Sequence, residues 1–290
     1  MRYEVVLPVA AGTTADPTWT AAFAQHVEAC GFDGLVVVEH TVVVRDYDSL
    51  YPYDASGRME LEPDCDVPDP LELLSFVAGI TSRIALATGV LVLPNHHPVL
   101  LAKRAATLDR LSGGRLRLCV GMGWMREEVE SLDVDFGSRG RRADEQLDVL
   151  RLLWDGDDKG VDHDGEFFRF RNAVCRPAPA HRIGLHVGGH SLAAARRAGR
   201  RGDGLQPLGV KGDELTELVR VMRGEAAACG RDPDALELTL GHLVPAVTQD
   251  KAERLAGLGA TRVVLAASPV ADLAEALDEL SACAERLGLG

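Results

Sequence analysis

The chain has 290 residues, 46% of them hydrophobic, and a formal net charge of −13. That length and apolar content suffice for one large core, and α/β barrels of this size run as single domains. The excess of acid excludes a sequence-independent nucleic-acid or anionic-membrane surface, which needs clustered basic charge, and leaves a small molecule as the expected partner.

Residues 3–9 read as a first strand, and the acid inside their short apolar stretch argues against a secretion signal. No apolar run approaches the length of a membrane span. The six cysteines stand far apart without zinc-ligand spacing and read as reduced and structural, which fits a cytoplasmic location. A helix over 19–30 is stopped by Gly31, and 34–38 is a second, continuously apolar strand. Residues 41–68 hold Tyr47, Tyr51, Tyr53, many acids and no clear period; a long irregular segment of this kind reads as a partly ordered lid.

Asp69-Pro70 starts a helix running towards Thr81, and a βαβ unit follows over 84–124. Residues 84–88 are apolar throughout, as in a parallel strand covered on both sides. Gly89 interrupts that strand, marking a bulge or the close approach of a ligand or another backbone, and the strand resumes over 90–93. His97-Pro98 opens a helix whose apolar face carries Leu101, Ala105, Leu108 and Leu111, and Gly113-Gly114 ends it. The next strand, 116–120, runs into Gly121, Met122, Gly123 and Trp124, where the glycines serve either a turn or a ligand. A helix over 139–154 precedes a polar, turn-rich excursion with one short strand at 166–170. Strands at 183–187, 204–207, 236–244 and 262–265 then alternate with helices at 191–201, 213–229, 250–258 and 270–287. Eight strands with helices between most of them predict a single-domain (β/α)8 TIM barrel over 1–290, with insertions at about 41–68 and 155–180. A doubly wound open sheet is the structural alternative.

In such a barrel the chemistry sits at the strand C-termini. Glu39-His40, Asn95-His96-His97, Gly121–Trp124 and Gly188-Gly189-His190-Ser191 would all open on one mouth. His40 can give or take a proton near neutral pH, or simply be hydrogen-bonded at a strand end. Glu39 orients His40, binds a ring N–H of a ligand, or is a solvated acid. Gly188 and Gly189, with Ser191 capping the next helix, form a phosphate cradle or an ordinary turn. The third glycine of a dinucleotide fingerprint would fall at Arg126, which argues against NAD bound in the usual way. His40, His96, His186 and His242 raise a metal hydrolase, but the first strand ends Leu7-Pro8-Val9 without paired histidines, so no metal site is expected.

Taken together, several segments resemble the luciferase-like monooxygenase superfamily, most closely its branch of deazaflavin (coenzyme F420)-dependent oxidoreductases. They include Gly31-Phe32-Asp33-Gly34 leading to Glu39-His40, Ser82-Arg83-Ile84 through Gly89-Val90 to His97-Pro98, Gly121–Trp124 with Glu127-Glu128, Arg139 to Glu145, and Gly188–Ser191. The resemblance implies a barrel with an insertion, usually dimeric, binding coenzyme F420 or FMN. Its acid–His pair maps onto Glu39 and His40, although that branch more often has Asp before the His. It implies a non-proline cis peptide at Gly89-Val90 against the tricyclic ring, the ribityl chain along Gly121, Met122, Gly123 and Trp124, and the phosphate on Gly188, Gly189 and Ser191. Hydride transfer between F420 and a small organic substrate is the implied reaction. The alternatives are monooxygenation with reduced FMN, served by a separate reductase, and a non-catalytic cofactor-binding barrel. Residues 47–68, Met125 and the excursion would shape the substrate pocket, with Arg58 and Trp124 facing it.

Overall fold

A computed structural model describes residues 1–290. In chain order it contains β1 (Arg2–Val6), α1 (Pro17–Ala29), β2 (Gly34–Val37), α2 (Pro70–Ile80), β3 (Ala85–Thr88), β4 (Leu91–Val92), α3 (Pro98–Leu111), β5 (Leu116–Gly121), α4 (Arg126–Glu130) and α5 (Arg139–Asp155). It continues with β6 (Val161–Asp164), β7 (Arg169–Ala173), β8 (Gly184–Gly188), α6 (Leu192–Arg201), β9 (Gly204–Gln206), α7 (Gly212–Ala228), β10 (Glu237–Leu243), α8 (Gln249–Gly257), β11 (Arg262–Ala266) and α9 (Leu273–Leu287). The strands run β3-β2-β1-β11-β10-β9-β8-β5, and pairing of β3 with β5 closes the ring. Every pairing in it is parallel, so this is one eight-stranded barrel and the open-sheet alternative is set aside. No helix is long and apolar enough to cross a membrane.

Strand alternation sorts the side chains between two environments. Leu35, Val37, Leu86, Leu118, Leu185 and Val263 point outwards into the main hydrophobic core beneath the helices. Their inward neighbours divide by height. Val36, Ala87 and Val264 fill the middle of the barrel. Below them, Glu4, Arg117, His186 and Arg262 lie buried at the N-terminal end. Gly34 makes room for Glu4, since a β-carbon there would stand 3.0 Å from Glu4 Cγ.

One strand is broken at the mouth. From Ala87 to Leu91 it advances four residues while β5 advances three, from Arg117 to Val120, so β4 continues β3 past one extra residue. Thr88 holds the break: its hydroxyl donates to Cys119 O at 2.8 Å and accepts from Cys119 N at 3.0 Å. The Gly89–Val90 peptide within the break is cis.

The structure departs from the sequence reading in two places. The excursion holds a two-stranded antiparallel hairpin, β6 with β7, where one strand at 166–170 was expected. Its turn is pinned from outside, because Glu145 accepts from the N–H groups of Phe167 and Phe168 at 2.9 Å each. The five-residue α4, directly after Gly121–Trp124, was not expected at all. Residues 41–68 form no helix or strand, yet they are tied down at several points. Thr41 N–H donates to Glu128 at 2.6 Å, the Ser49 hydroxyl to Glu127 at 2.7 Å, and Cys65 Sγ to Val9 O at 3.0 Å.

The Glu127 clamp makes the 41–68 segment sensitive to acid. Burial pushes its carboxyl up, but donation from the Ser49 hydroxyl and from the Asp48 and Ser49 N–H groups outweighs this and holds it below the ordinary glutamate range. A depressed folded value means that the clamp is complete above the unfolded value, about 4.3, and is lost as pH falls through the folded one. Protection factors at the Asp48 and Ser49 amides, taken relative to intrinsic exchange at the same pH, should therefore fall in acid, and Glu127→Ala should show the low protection already at neutral pH. Unchanged protection in the variant would remove Glu127 as the clamp.

Candidate active site

Four strand ends meet at the C-terminal mouth, and the acids and histidines there pair differently from the expectation. Glu39 does not orient His40. One of its oxygens accepts from Val92 N–H, and the other lies 2.7 Å from His96 Nε2. Glu39 is only 6% exposed, so it is neither a solvated acid nor a free one; it fastens the resumed strand β4 to the loop after it. Gln146 of α5 braces the same loop, donating to Leu93 O at 2.8 Å and His96 O at 2.6 Å.

His40 is oriented instead by Glu128, on α4. Glu128 Oε2 accepts from His40 Nδ1 at 2.9 Å, and the carboxylate is buried, 2% exposed. A proton fixed on Nδ1 leaves Nε2 as the working nitrogen, an acceptor in the neutral ring and a donor in the charged one. The same carboxylate anchors the lid through Thr41 and accepts from Asn95 Nδ2 at 3.4 Å. The start of the 41–68 segment and the orientation of His40 thus depend on one buried group.

An arc of rings crosses this half of the mouth. Trp124 meets His40 edge-on at 6.3 Å between centroids, Tyr47 at 5.4 Å and Tyr51 at 5.1 Å. Tyr51 meets Tyr53 at 5.3 Å, and Tyr53 meets His190 at 5.3 Å. Burial and the neighbouring Tyr51 raise the Tyr53 phenol above its usual value. Arg58 lies over the Tyr47 ring at 4.7 Å and donates to its carbonyl at 2.8 Å. Met125, expected to shape the substrate pocket, is instead fully buried.

The glycines serve Val90 as well as the turn. A β-carbon at Gly188 would stand 2.4 Å from Val90 Cγ1, and one at Gly121 2.5 Å from Val90 Cγ2. Val90 therefore sits between β5 and β8 across the barrel top, and both strands must end in glycine to admit it. Gly123 and Gly189 have positive φ, +73° and +124°, which other residues rarely adopt. Gly123 is held by Arg139, which donates to its carbonyl at 3.2 Å. Ser191 caps α6, accepting from Ala194 N–H at 3.2 Å. Met122 packs against the main core rather than standing free.

Three buried polar atoms on separate strand ends lack any partner: Asn95 Oδ1, His190 Nδ1 and Gln206 Oε1. Unpartnered buried polar atoms also occur elsewhere, as at Arg117 Nε and Thr239 Oγ1, so these three show only that polar groups at the mouth are available to a ligand. Gln206 stands beside the broken strand, its Nε2 3.5 Å from where a β-carbon on Gly89 would lie. Sequence reasoning named neither Gln206 nor Glu128 as a site residue. His186 and His242 are not part of the site: His186 lies at the other barrel end, and His242 Nδ1 accepts from Leu243 N–H at 2.8 Å.

The family model for luciferase-like monooxygenases matches residues 1–288. The chain belongs to this family. An uncharacterized protein of Mycobacterium tuberculosis is 32% identical over 86% of this chain and 85% of its own length. The F420-dependent glucose-6-phosphate dehydrogenase of the same species is 32% identical over 76% of this chain and 62% of its own. Among solved structures, a monooxygenase from Streptomyces bottropensis superposes with a TM-score of 0.77 at 20% identity, covering 99% of this chain and 98% of its own. An F420-dependent secondary alcohol dehydrogenase, in complex with an F420-acetone adduct, superposes at 0.76 with 17% identity over the same shares. Membership makes this chain a luciferase-like barrel enzyme, and the two structures bear on its fold.

Proposed function

We propose that the protein is an oxidoreductase that uses coenzyme F420 and moves a hydride to or from a small organic substrate. The observation that carries this reading is the Glu128–His40 pair, which holds an imidazole with a free Nε2 beside Trp124 at the barrel mouth. Such a group supplies the proton that must accompany a hydride. The F420-dependent relative at 32% identity supports the deazaflavin over FMN.

The residues present fit a tricyclic cofactor with a phosphate-bearing chain. Val90 and the glycines around it give a low floor, Asn95, His190 and Gln206 offer unpartnered polar atoms, and the start of α6 after its Ser191 cap would turn N–H groups towards an anion, although the Gly189 N–H is itself taken by Gln206 O at 3.2 Å. The bound deazaflavin would supply or accept the hydride. His40 Nε2 would give a proton to a carbonyl oxygen during reduction and take it from the alcohol during oxidation. Glu128 keeps that nitrogen available, while the lid and the ring arc exclude water and hold the substrate. A homodimer and a separate enzyme that reduces the cofactor belong to the same proposal.

Titration of the purified protein with oxidised and reduced F420 and FMN, followed by tryptophan fluorescence, tests it. Submicromolar binding of F420, with FMN at least about tenfold weaker, is the expected result, a gap of about 1.4 kcal/mol. Preference for reduced FMN would move the chain to the monooxygenase reading, and binding of neither would leave a barrel without this chemistry.

A further inference from the structure

We propose that a cavity walled by five arginines, at the barrel end opposite the mouth, binds a compact diphosphate group, either free or as the phosphate end of a nucleotide. The site is separate from the mouth and does not depend on the oxidoreductase reading.

Topology gathers the arginines. The strands run towards the mouth, so the helices between them run back and finish at the other end of the barrel. There the C-terminal parts of α5 and α6 bring Arg151, Arg200 and Arg201 beside Arg182, two residues before β8, and Arg231, three residues after α7. These five line a cavity of about 300 Å³. Asp148 and Asp155 are the carboxylates of its wall and Leu147 its one apolar side chain. In a chain of net charge −13, five arginines against two acids are a local reversal of charge. At roughly 30 Å³ for each water-sized group, the space takes about ten such groups, which suits a diphosphate better than a single phosphate. No aromatic side chain lines it, so nothing there stacks on a base.

The guanidinium groups are held from behind and keep N–H groups to spare. Asp203 is shared among three of them: it accepts from Arg151 Nη2, accepts from Arg182 Nη2 at 3.1 Å, and lies 3.8 Å from Arg231 Nη2. Glu225 is shared between Arg200, at 2.7 Å, and Arg196, at 3.6 Å. Asp144 comes within 3.9 Å of Arg201 but accepts from Arg197 at 2.7 Å. Arg200 and Arg201 each commit Nε to a carboxylate, Glu225 and Asp148, so both terminal nitrogens of each have no hydrogen bond, and that edge is the one that forks onto phosphate oxygens. Arg182 keeps Nε and Nη1 free. Only Arg231 caps a helix end, donating to Gly199 O and Gly202 O at 2.6 Å each; the other four bond no helix-end carbonyl. Shared carboxylates thus fix the guanidinium groups in place without neutralising them, and a multiply charged anion supplies the missing charge and the planar, bidentate partners.

Isothermal titration of the whole protein with sodium diphosphate, sulfate and ADP tests the site, at an ionic strength of about 0.15 M so that the acidic surface at large is screened. Diphosphate should bind one to one with a Kd below about 100 μM, sulfate at least about tenfold weaker, and ADP within about threefold of diphosphate. Arg182 and Arg200 are exposed and bond one carboxylate each, so the double variant Arg182→Gln/Arg200→Gln should keep the wild-type Tm and lose at least about tenfold in diphosphate affinity. Asp155 makes no side-chain hydrogen bond, and Asp155→Asn, which removes a negative charge from the wall, should tighten diphosphate by about threefold, a gain that misfolding does not produce. Absence of saturable binding, an affinity that the double variant leaves unchanged, sulfate binding as tightly as diphosphate, or no gain from Asp155→Asn would overturn the proposal. ADP binding more than about tenfold tighter than diphosphate would overturn a site that reads phosphate alone.

Discussion

His40→Ala is expected to lower kcat by about 10²- to 10⁴-fold, the usual worth of a placed general acid–base, while F420 affinity changes by less than about threefold. The asymmetry is the diagnostic part, since the imidazole serves the proton and the rest of the mouth holds the cofactor. Equal loss of both would make His40 a cofactor ligand instead. Glu128 is a positioning residue and is separable from His40 by its conservative variant. Glu128→Gln keeps an oxygen that can accept from His40 Nδ1 but loses the charge, so it should retain more activity than Glu128→Ala and shift the alkaline or acid limb of the kcat profile. Glu128→Ala should also free the lid at Thr41, visible as faster hydrogen exchange there. A Glu128→Ala enzyme with the wild-type pH profile would leave the carboxylate only a structural part.

The barrel and the positions of its strand ends were readable because continuous apolar runs ended by polar or glycine residues have few other meanings in an α/β chain. The broken third strand was readable at Gly89 for the same reason. Partners within the mouth were not. Glu128 lies 88 residues from His40 in sequence, on a helix too short to show a period, and Glu39 sits next to His40 and so drew the orienting role to itself. Both residues follow the end of β2 at Val37, where strand alternation no longer fixes direction, so nothing local in the sequence parted the two. Gly121 and Gly188 carry a similar lesson. From sequence they could be given to a ligand, whereas the side chain of Val90 occupies the space their β-carbons would need. The lid gave no period because it is held by individual carboxylates rather than by a repeating face.

The charged floor of the barrel was legible in the same alternation and was overlooked, because Glu4 served only as evidence against a signal peptide. Glu4 is 1% exposed and lies between Arg117, 7% exposed, and Arg262, 3% exposed. It pairs with an Arg117 Nη2 hydrogen bond and stands 2.7 Å from Arg262 Nε as an ion contact. Arg262 has a second acceptor, Glu237 Oε2 at 2.6 Å, whereas Arg117 Nε and Nη1 have none. His186 adds no charge here, since burial first and then Arg117 and Arg262 push its pKa well down and keep it neutral. Removing Glu4 therefore strands Arg117 far more than Arg262. Glu4→Leu should cost about 3–5 kcal/mol, the usual effect of leaving a buried charge unpaired, measured by denaturant unfolding. Adding Arg117→Met removes the stranded cation with a side chain of similar reach, and the double variant should recover at least about half of that loss. A double variant no more stable than Glu4→Leu would mean that the loss comes from packing around Glu4, and that the floor is held by shape rather than by charge.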